Sequence, residues 1–251
     1  MKAVCIIPAR YGSTRLPGKP LALLGDKPMI RWVYEHAVKA NAFSRILIAT
    51  DDERIRKTCS DFGAEVVMTD PKLPSGTDRV ARVVRDLSCE VVVNLQGDEP
   101  FVKPQLLDQL VAAFNDPEVQ IATPIKKISN YKDITEPNLV RVVKDRNNYA
   151  LYFSRAAIPH IRDEADVKKW LTQHTFYKHV GIYAYRRETL LQLTTLPQSS
   201  LEKAERLEQL RFLENGFRIF TVETDYESVS VDTEEDLRRV NELINQFLGK
   251  Y

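Results

Sequence analysis

Apolar residues in this chain fall into short continuous runs separated by stretches of helical period. Residues 3–7, 45–50, 65–68 and 91–95 are the runs, each closed by a turn or a charged pair. Runs of that length bounded by turn residues predict buried strands. Between them, Ile30, Val33, Tyr34, Ala37 and Val38 keep the i, i+3, i+4 spacing of one packed helical face after Pro28. A second helix is expected over 53–62, and Val80, Val83, Val84 and Leu87 mark a third that opens at Ser75. Strand and helix in alternation predict an α/β fold built on a doubly wound, mostly parallel sheet. The run 91–95 is apolar almost throughout and is expected at its centre.

After a helix from Pro104 to about Asn115 the register changes. Residues 120–124, 138–144 and 149–153 read as strands with few helices between them, which predicts a smaller mixed-sheet insertion. The chain is therefore expected to be a single domain over 1–251 with a subdomain at roughly 120–215. Residues 163–175 are charged and weakly patterned, as a mobile surface excursion would be. Residues 178–185 alternate with a strand period, a helix opens at Ser199 with Leu207, Leu210 and Leu213 at core spacing, and 218–222 reads as a strand. A last helix carries Leu237, Val240, Ile244 and Phe247 on one stripe, and Thr233 with Asp236 has the form of its capping box.

Composition narrows the partners. The 251 residues are 43% hydrophobic and 28% charged with a formal net charge of +1, so no overall charge favours nucleic acid or an anionic membrane. Any anion must be bound by local clusters. Cys5, Cys59 and Cys89 are odd in number and show no C-x-x-C, which argues against a disulfide framework and a zinc site. No basic-then-apolar leader and no run of membrane-spanning length is visible, so a soluble, cytoplasmic chain without membrane insertion is expected.

The chemistry concentrates after the first strand. Residues 8–20 place Arg10, Arg15 and Lys19 among Gly12, Gly18, Ser13, Thr14 and three prolines. Glycines let backbone N–H groups approach an anion, and the cations neutralise it. A loop of this kind after strand one of an α/β sheet is where a polyphosphate would be held. It is neither a P-loop, since five residues separate its glycines and Pro20 follows Lys19, nor a G-x-G-x-x-G turn. Ser75-Gly76-Thr77-Asp78-Arg79 opens a helix and suits both a plain cap and an anion or base edge. Strand 91–95 runs into Gln96-Gly97-Asp98-Glu99-Pro100, which puts Asp98 in the crevice where α/β sheets bind ligands, with Glu99 read as a turn residue. Magnesium favours one or two protein carboxylates beside phosphate oxygens and water, and Asp98 fits that need.

R-x-x-S-x-R-L-P-G-K-P, S-G-T-D-R, Q-G-D-E-P, Y-A-L-Y-F-S-R at 149–155, K-H-V-G-I-Y at 178–183, L-E-Q-L-R at 207–211 and V-D-T-E-E-D-L at 231–237 together cover nearly the whole chain. The set resembles the sugar-activating nucleotidyltransferases, and among them the cytidylyltransferases that make CMP-linked acidic sugars. Gly12, Ser230 and the segment 163–175 depart from that pattern without touching a candidate ligand. The resemblance implies CTP and an acidic eight-carbon sugar, 3-deoxy-manno-octulosonate (Kdo), as substrates, Mg2+ as cofactor, and a homodimer. It implies that Arg10, Ser13 and Lys19 hold the triphosphate and that Ser75, Gly76 and Arg79 border the nucleoside. Asp98 and Asp232 would be metal ligands; read alone, Asp232 would simply favour the positive end of the last helix. Arg15, Gln96, Arg155, His179, Tyr183 and Glu208 would orient the sugar, with Glu205 a weaker candidate and the 120–215 subdomain serving the sugar and self-association. Another acidic sugar, such as an amino variant of Kdo or a sialic acid, and a non-catalytic nucleotide binder both remain open at this point.

Overall fold

The computed structural model describes residues 1–12 and 16–248, so Ser13 and Arg15 lie outside the described residues, as does the side chain of Phe247. The chain packs as two compact units, Met1–Ala112 with Tyr226–Tyr251, and Ala113–Asp225.

In the first unit the strands are β1 (Ala3–Ala9), the two-residue β2 (Leu23–Leu24) and β3 (Lys27–Pro28), then β4 (Phe43–Thr50), β5 (Glu65–Met68) and β6 (Val91–Asn94). Four of them form a parallel array in the order β5-β4-β1-β6, with Ile6 paired to Leu47 on one side and to Asn94 on the other. Helices α1 (Met29–Val38), α2 (Glu53–Asp61), α3 (Gly76–Val84) and α4 (Pro104–Ala112) follow strands in the expected alternation, and a C-terminal helix (Glu234–Leu248) ends the unit. β1 and β6 are parallel neighbours, so the chain leaves both at the same sheet edge. That edge is where such sheets present ligand-binding loops.

One apolar cluster underlies those loops. Leu16, Leu24, Met29, Trp32, Phe101, Val231 and Val240 pack together, with Val229, Leu237 and Ile244 against them. Trp32 also donates its indole N–H to the Leu24 carbonyl at 2.8 Å. Each such side chain contributes about 1.5–3 kcal/mol on burial. The cluster thus fixes the β2–β3 hairpin, the residues after Glu99 and the residues before Asp232 to a common base.

The second unit is a mixed sheet, as its pattern predicts. Its strands are β7 (Ile121–Lys127), β8 (Arg141–Lys144), β9 (Ala150–Ser154), β10 (Tyr177–His179), β11 (Tyr183–Arg186) and β12 (Ile219–Glu223). β7 pairs antiparallel with β10 and β11 and parallel with β12; β10, β8 and β9 continue antiparallel. The run expected as one strand over 178–185 is interrupted at residues 180–182, where Ile182 N–H bonds back to the Val180 carbonyl at 2.7 Å.

Two further expectations change here. The helix expected from Ser199 is two short ones, α5 (Ser200–Glu205) and α6 (Gln209–Glu214), because Arg206 between them takes a left-handed φ of 54°. The expected excursion at 163–175 is anchored by Trp170, 5% exposed, which stacks on Phe176 at 5.8 Å beside Ile128 and Ile134 and donates to the Glu164 carbonyl at 2.7 Å. A single aromatic anchor has no periodicity, so the sequence pattern could not show it.

Candidate active site

The loop after β1 is closed at its base by Gly18 N–H donating to the Tyr11 carbonyl at 3.0 Å. Gly18 sits at φ 69°, and a Cβ there would meet the Tyr11 ring at 3.1 Å, so both backbone and space require glycine. The guanidinium of Arg54 lies 3.3 Å from the centroid of that ring and is itself held by Asp52, the N-cap of α2. Directly after Gly18 a single 3-10 turn begins with Lys19. The chain thereby spends its stiffness at one point: it aims Lys19.

Lys19 Nζ donates to Asp98 Oδ2 at 2.5 Å and to Asp232 Oδ1 at 2.9 Å. All three side chains are largely covered, at 14%, 27% and 31% exposure. Burial pulls the Lys19 ammonium down, but the two carboxylates, Asp98 foremost, outweigh it and hold its pKa above the ordinary value. Asp98 rides on the loop after β6. Gly97 lets that loop approach β1 closely, since a Cβ there would lie 3.1 Å from the Pro8 carbonyl oxygen. Asp232 precedes the C-terminal helix, and the capping box forms as read: Asp236 Oδ2 accepts from Thr233 N–H at 3.1 Å while Asp236 N–H donates to Thr233 Oγ1 at 3.1 Å. Asp236 therefore serves the helix end, and the Asp232 carboxylate faces Lys19.

These groups line a cleft of about 450 Å³ in the first unit, together with Arg10, Ser75, Gly76, Arg79 and Gln96. Ser75 caps α3, accepting from Asp78 N–H at 3.1 Å. Arg79 is buried and engaged by Asp51 at 2.8 Å and by Thr69, so its guanidinium stiffens the wall of the cleft. Gln96 donates to Asn94 Oδ1 at 3.2 Å. No group of three or more His, Cys, Asp or Glu gathers among the described residues. Two carboxylates converging on one ammonium do fit magnesium, which keeps most of its shell for phosphate and water.

The remaining candidates lie in the second unit. Arg155 is exposed; its N–H reaches Glu205 Oε2 at 3.0 Å, its Nε the Glu205 carbonyl at 3.2 Å and its Nη1 the Asn138 carbonyl at 3.4 Å. Ser154 Oγ adds 2.6 Å to Glu205 Oε1, so Glu205 is the residue that sets Arg155. Glu208 instead accepts from Arg211 at 2.9 Å. His179 Nε2 lies 2.9 Å from Thr123 Oγ1, whose single proton goes to the Ile182 carbonyl at 2.8 Å. That assignment makes Nε2 the donor and leaves Nδ1 as the acceptor. Phe153 and Tyr183 close on the ring at 5.2 and 5.3 Å, and burial pulls its pKa down to about 3. Burial, with Glu208 nearby, pushes the Tyr183 hydroxyl well above its usual value.

Glu99 is what the sequence reading missed. It is 4% exposed and accepts from Tyr226 and Ser228 rather than turning outward. Its place in Q-G-D-E-P was visible; its partners, 127 and 129 residues on, carried no signal.

A cleft at the carboxyl ends of β1 and β6, lined by a lysine and paired carboxylates, is suited to a nucleotide, and the comparisons with known proteins show the family. Residues 4–219 match the model of a family described as cytidylyltransferase, to which this chain belongs. Its relatives are narrower in kind. A protein of Trichlorobacter lovleyi is 46% identical over 98% of this chain and all of its own length, and one of Cytophaga hutchinsonii is 48% identical over 94% and 95%; both are named 3-deoxy-manno-octulosonate cytidylyltransferase. A solved CMP:2-keto-3-deoxy-manno-octonic acid synthetase complexed with CTP superposes with a TM-score of 0.91 at 41% identity, over 98% of this chain and 99% of that one. A cytidylyltransferase of Leptospira borgpetersenii, at 18% identity and a TM-score of 0.63, shares the fold, covering 98% of this chain and 87% of its own. The expected fold class and family are borne out. No described helix is long and apolar enough to cross a membrane.

Proposed function

We propose that this cytidylyltransferase activates 3-deoxy-manno-octulosonate with CTP, releasing pyrophosphate and forming CMP-Kdo for lipopolysaccharide synthesis, in a magnesium-dependent reaction. The observation that carries the reading is the Lys19 ammonium held between Asp98 and Asp232 at the edge where β1 and β6 end. A binder of nucleotide needs no pair of separated carboxylates there. The names of its relatives support the sugar and the nucleotide.

Phosphoryl-type transfer asks little covalent work of a protein, so positioning and charge neutralisation supply the rate. Arg10 and Lys19 bind the triphosphate, with Ser13 and backbone N–H groups of the loop. Ser75 and Gly76 border the nucleoside, and Arg79 keeps that wall in place through Asp51. Asp98 and Asp232 would hold magnesium, and its charge would lower the pKa of the attacking hydroxyl and neutralise the departing charge. Arg155 suits the sugar's carboxylate, because a guanidinium pairs with it through two parallel bonds. Arg15, Gln96, His179, Tyr183 and Glu208 complete the sugar contacts. The proposal extends to a cytoplasmic homodimer: Leu151 and Leu201 offer exposed apolar surface in the second unit, and Cys5, Cys59 and Cys89 stand as thiols.

The test is pyrophosphate release with each nucleoside triphosphate against Kdo, its amino variant and sialic acid, with and without magnesium. Release from CTP with Kdo alone, abolished by chelation, is expected. Release with another sugar moves the specificity, and none from folded protein with any pair would favour the non-catalytic reading.

A further inference from the structure

Asp98 and Asp232 repel each other and sit on two loops far apart in sequence, so something must fix both backbones. The segment leading to Asp232, residues 224–232, is in neither helix nor strand. It is tied to β7 at its start, where Thr224 N–H donates to the Ile125 carbonyl at 2.9 Å, and beyond that an irregular stretch keeps its place largely through side chains.

Lys19 draws the two carboxylates together at their tips, and a second side chain, Glu99 next to Asp98, links the backbones of the two loops. Its Oε2 accepts from the Tyr226 hydroxyl at 2.8 Å and its Oε1 from Ser228 Oγ at 2.5 Å. Tyr226 is 1% exposed. Tyr226 and Ser228 are two residues apart, the spacing that puts side chains of an extended chain on one side. Below this link, Phe101 and Val231 share the same apolar cluster. One residue beyond Glu99, the buried His36 Nδ1 lies 2.6 Å from the Pro100 carbonyl.

We propose that Glu99, acting through Tyr226 and Ser228, is a positioning residue that sets the separation and aim of Asp98 and Asp232 without touching substrate or metal. The inference rests on the reading that these two carboxylates hold the metal. Its chemical sense lies in what a carboxylate offers: two acceptor oxygens, each satisfied by one hydroxyl, specify a register that apolar packing would leave loose. A carboxylate is also expensive to bury. Glu99 is almost wholly withdrawn from water, and its two hydroxyl donors offset only part of that cost. Two apolar side chains would fill the same space at lower cost, so stability alone does not account for it.

The experiment measures Mn2+ binding to the CTP-loaded protein by electron paramagnetic resonance, alongside CTP affinity without metal. The variants are the pair Tyr226→Phe/Ser228→Ala, Glu99→Gln, Asp98→Asn and Asp232→Asn. The paired variant is expected to weaken Mn2+ about tenfold, as loss of groups that orient metal ligands does. Glu99→Gln should weaken it less, because its amide oxygen keeps one acceptor, and CTP affinity without metal should stay within about twofold in both. A purely structural role would lower the melting temperature and leave Mn2+ affinity of the folded protein unchanged. Wild-type Mn2+ affinity in the paired variant, with Asp98→Asn and Asp232→Asn both defective, overturns the proposal and leaves the metal reading standing. If neither aspartate matters for Mn2+, the metal reading falls and takes the proposal with it. Should the paired variant not fold, Tyr226→Phe alone decides by the same criterion.

Discussion

The two units hold their charged groups in opposite ways. In the first, Lys19, Asp98 and Asp232 come from three distant stretches and find their partners in one another. In the second, Arg155, His179 and Glu208 are each engaged by neighbours that fix a direction: Glu205, Thr123 and Arg211. The first arrangement is a charge balance that an incoming cation and polyphosphate can replace. The second is a set of aimed hydrogen-bonding groups, suited to reading the shape of a polar molecule. Removing a group from the first should therefore cost rate, and from the second, recognition.

The largest effect should follow Asp98→Asn. It keeps shape and removes one of the two converging charges, and kcat for pyrophosphate release should fall about 10²–10³-fold. Lys19 retains Asp232 as its partner, so the melting temperature should change little. A variant that stays active and magnesium-dependent would erase the contrast at its stronger end.

Arg155→Ala should act differently. Losing a charge-assisted pair of bonds is worth about 1.5–3 kcal/mol, or roughly 10–100-fold in KM for the sugar, with KM for CTP unchanged. Arg155→Lys should recover little, because an ammonium lacks the planar fork. Equal losses in both KM values would show that the second unit's groups do not sort by substrate.

Legibility in the sequence followed the same division. The parallel half of the fold was readable because each buried strand is a continuous apolar run, as at 91–95, and each loop that matters leaves the carboxyl end of one. Lys19 and Asp98 were readable because charge beside glycine and proline at such a place has few structural uses, whereas Asp232, which read alone would only favour a helix end, stood out only through the resemblance of V-D-T-E-E-D-L. The break at Arg206, the anchor at Trp170 and the pairing of Glu99 with Tyr226 were not, since each is decided by a contact distant in sequence or by one backbone angle. Glu205 reads as the weaker of the two glutamates for a related reason: helical spacing shows a shared face, not which carboxylate meets the Arg155 N–H just past β9.

The smallest effect sharpens the second unit's side of the comparison. His179 keeps its ring neutral in the folded protein down to a pKa of about 3, whereas an unfolded chain protonates it near 6.5. The ring's contribution to stability is thus fully present above pH 6.5 and is lost as pH falls from there toward 3. Glu223, held below its ordinary value by Lys144 and then Tyr177, loses its contribution as pH falls through the carboxylate range, so pH 5–6.5 separates the two. His179→Gln should melt slightly below wild type at pH 7.5, having lost an optimised bond to Thr123 worth about 1 kcal/mol. By pH 5.5 the gap should close or reverse, since one unit of that window is worth at most about 1.4 kcal/mol, or about 2–4 °C in a chain of this size. Thermal melts of both proteins across pH 5–7.5 measure it, and their difference cancels every carboxylate they share. A gap constant with pH would mean that the ring protonates in the folded protein as readily as in the unfolded chain, and the aimed, neutral donor at Nε2 would have to be abandoned.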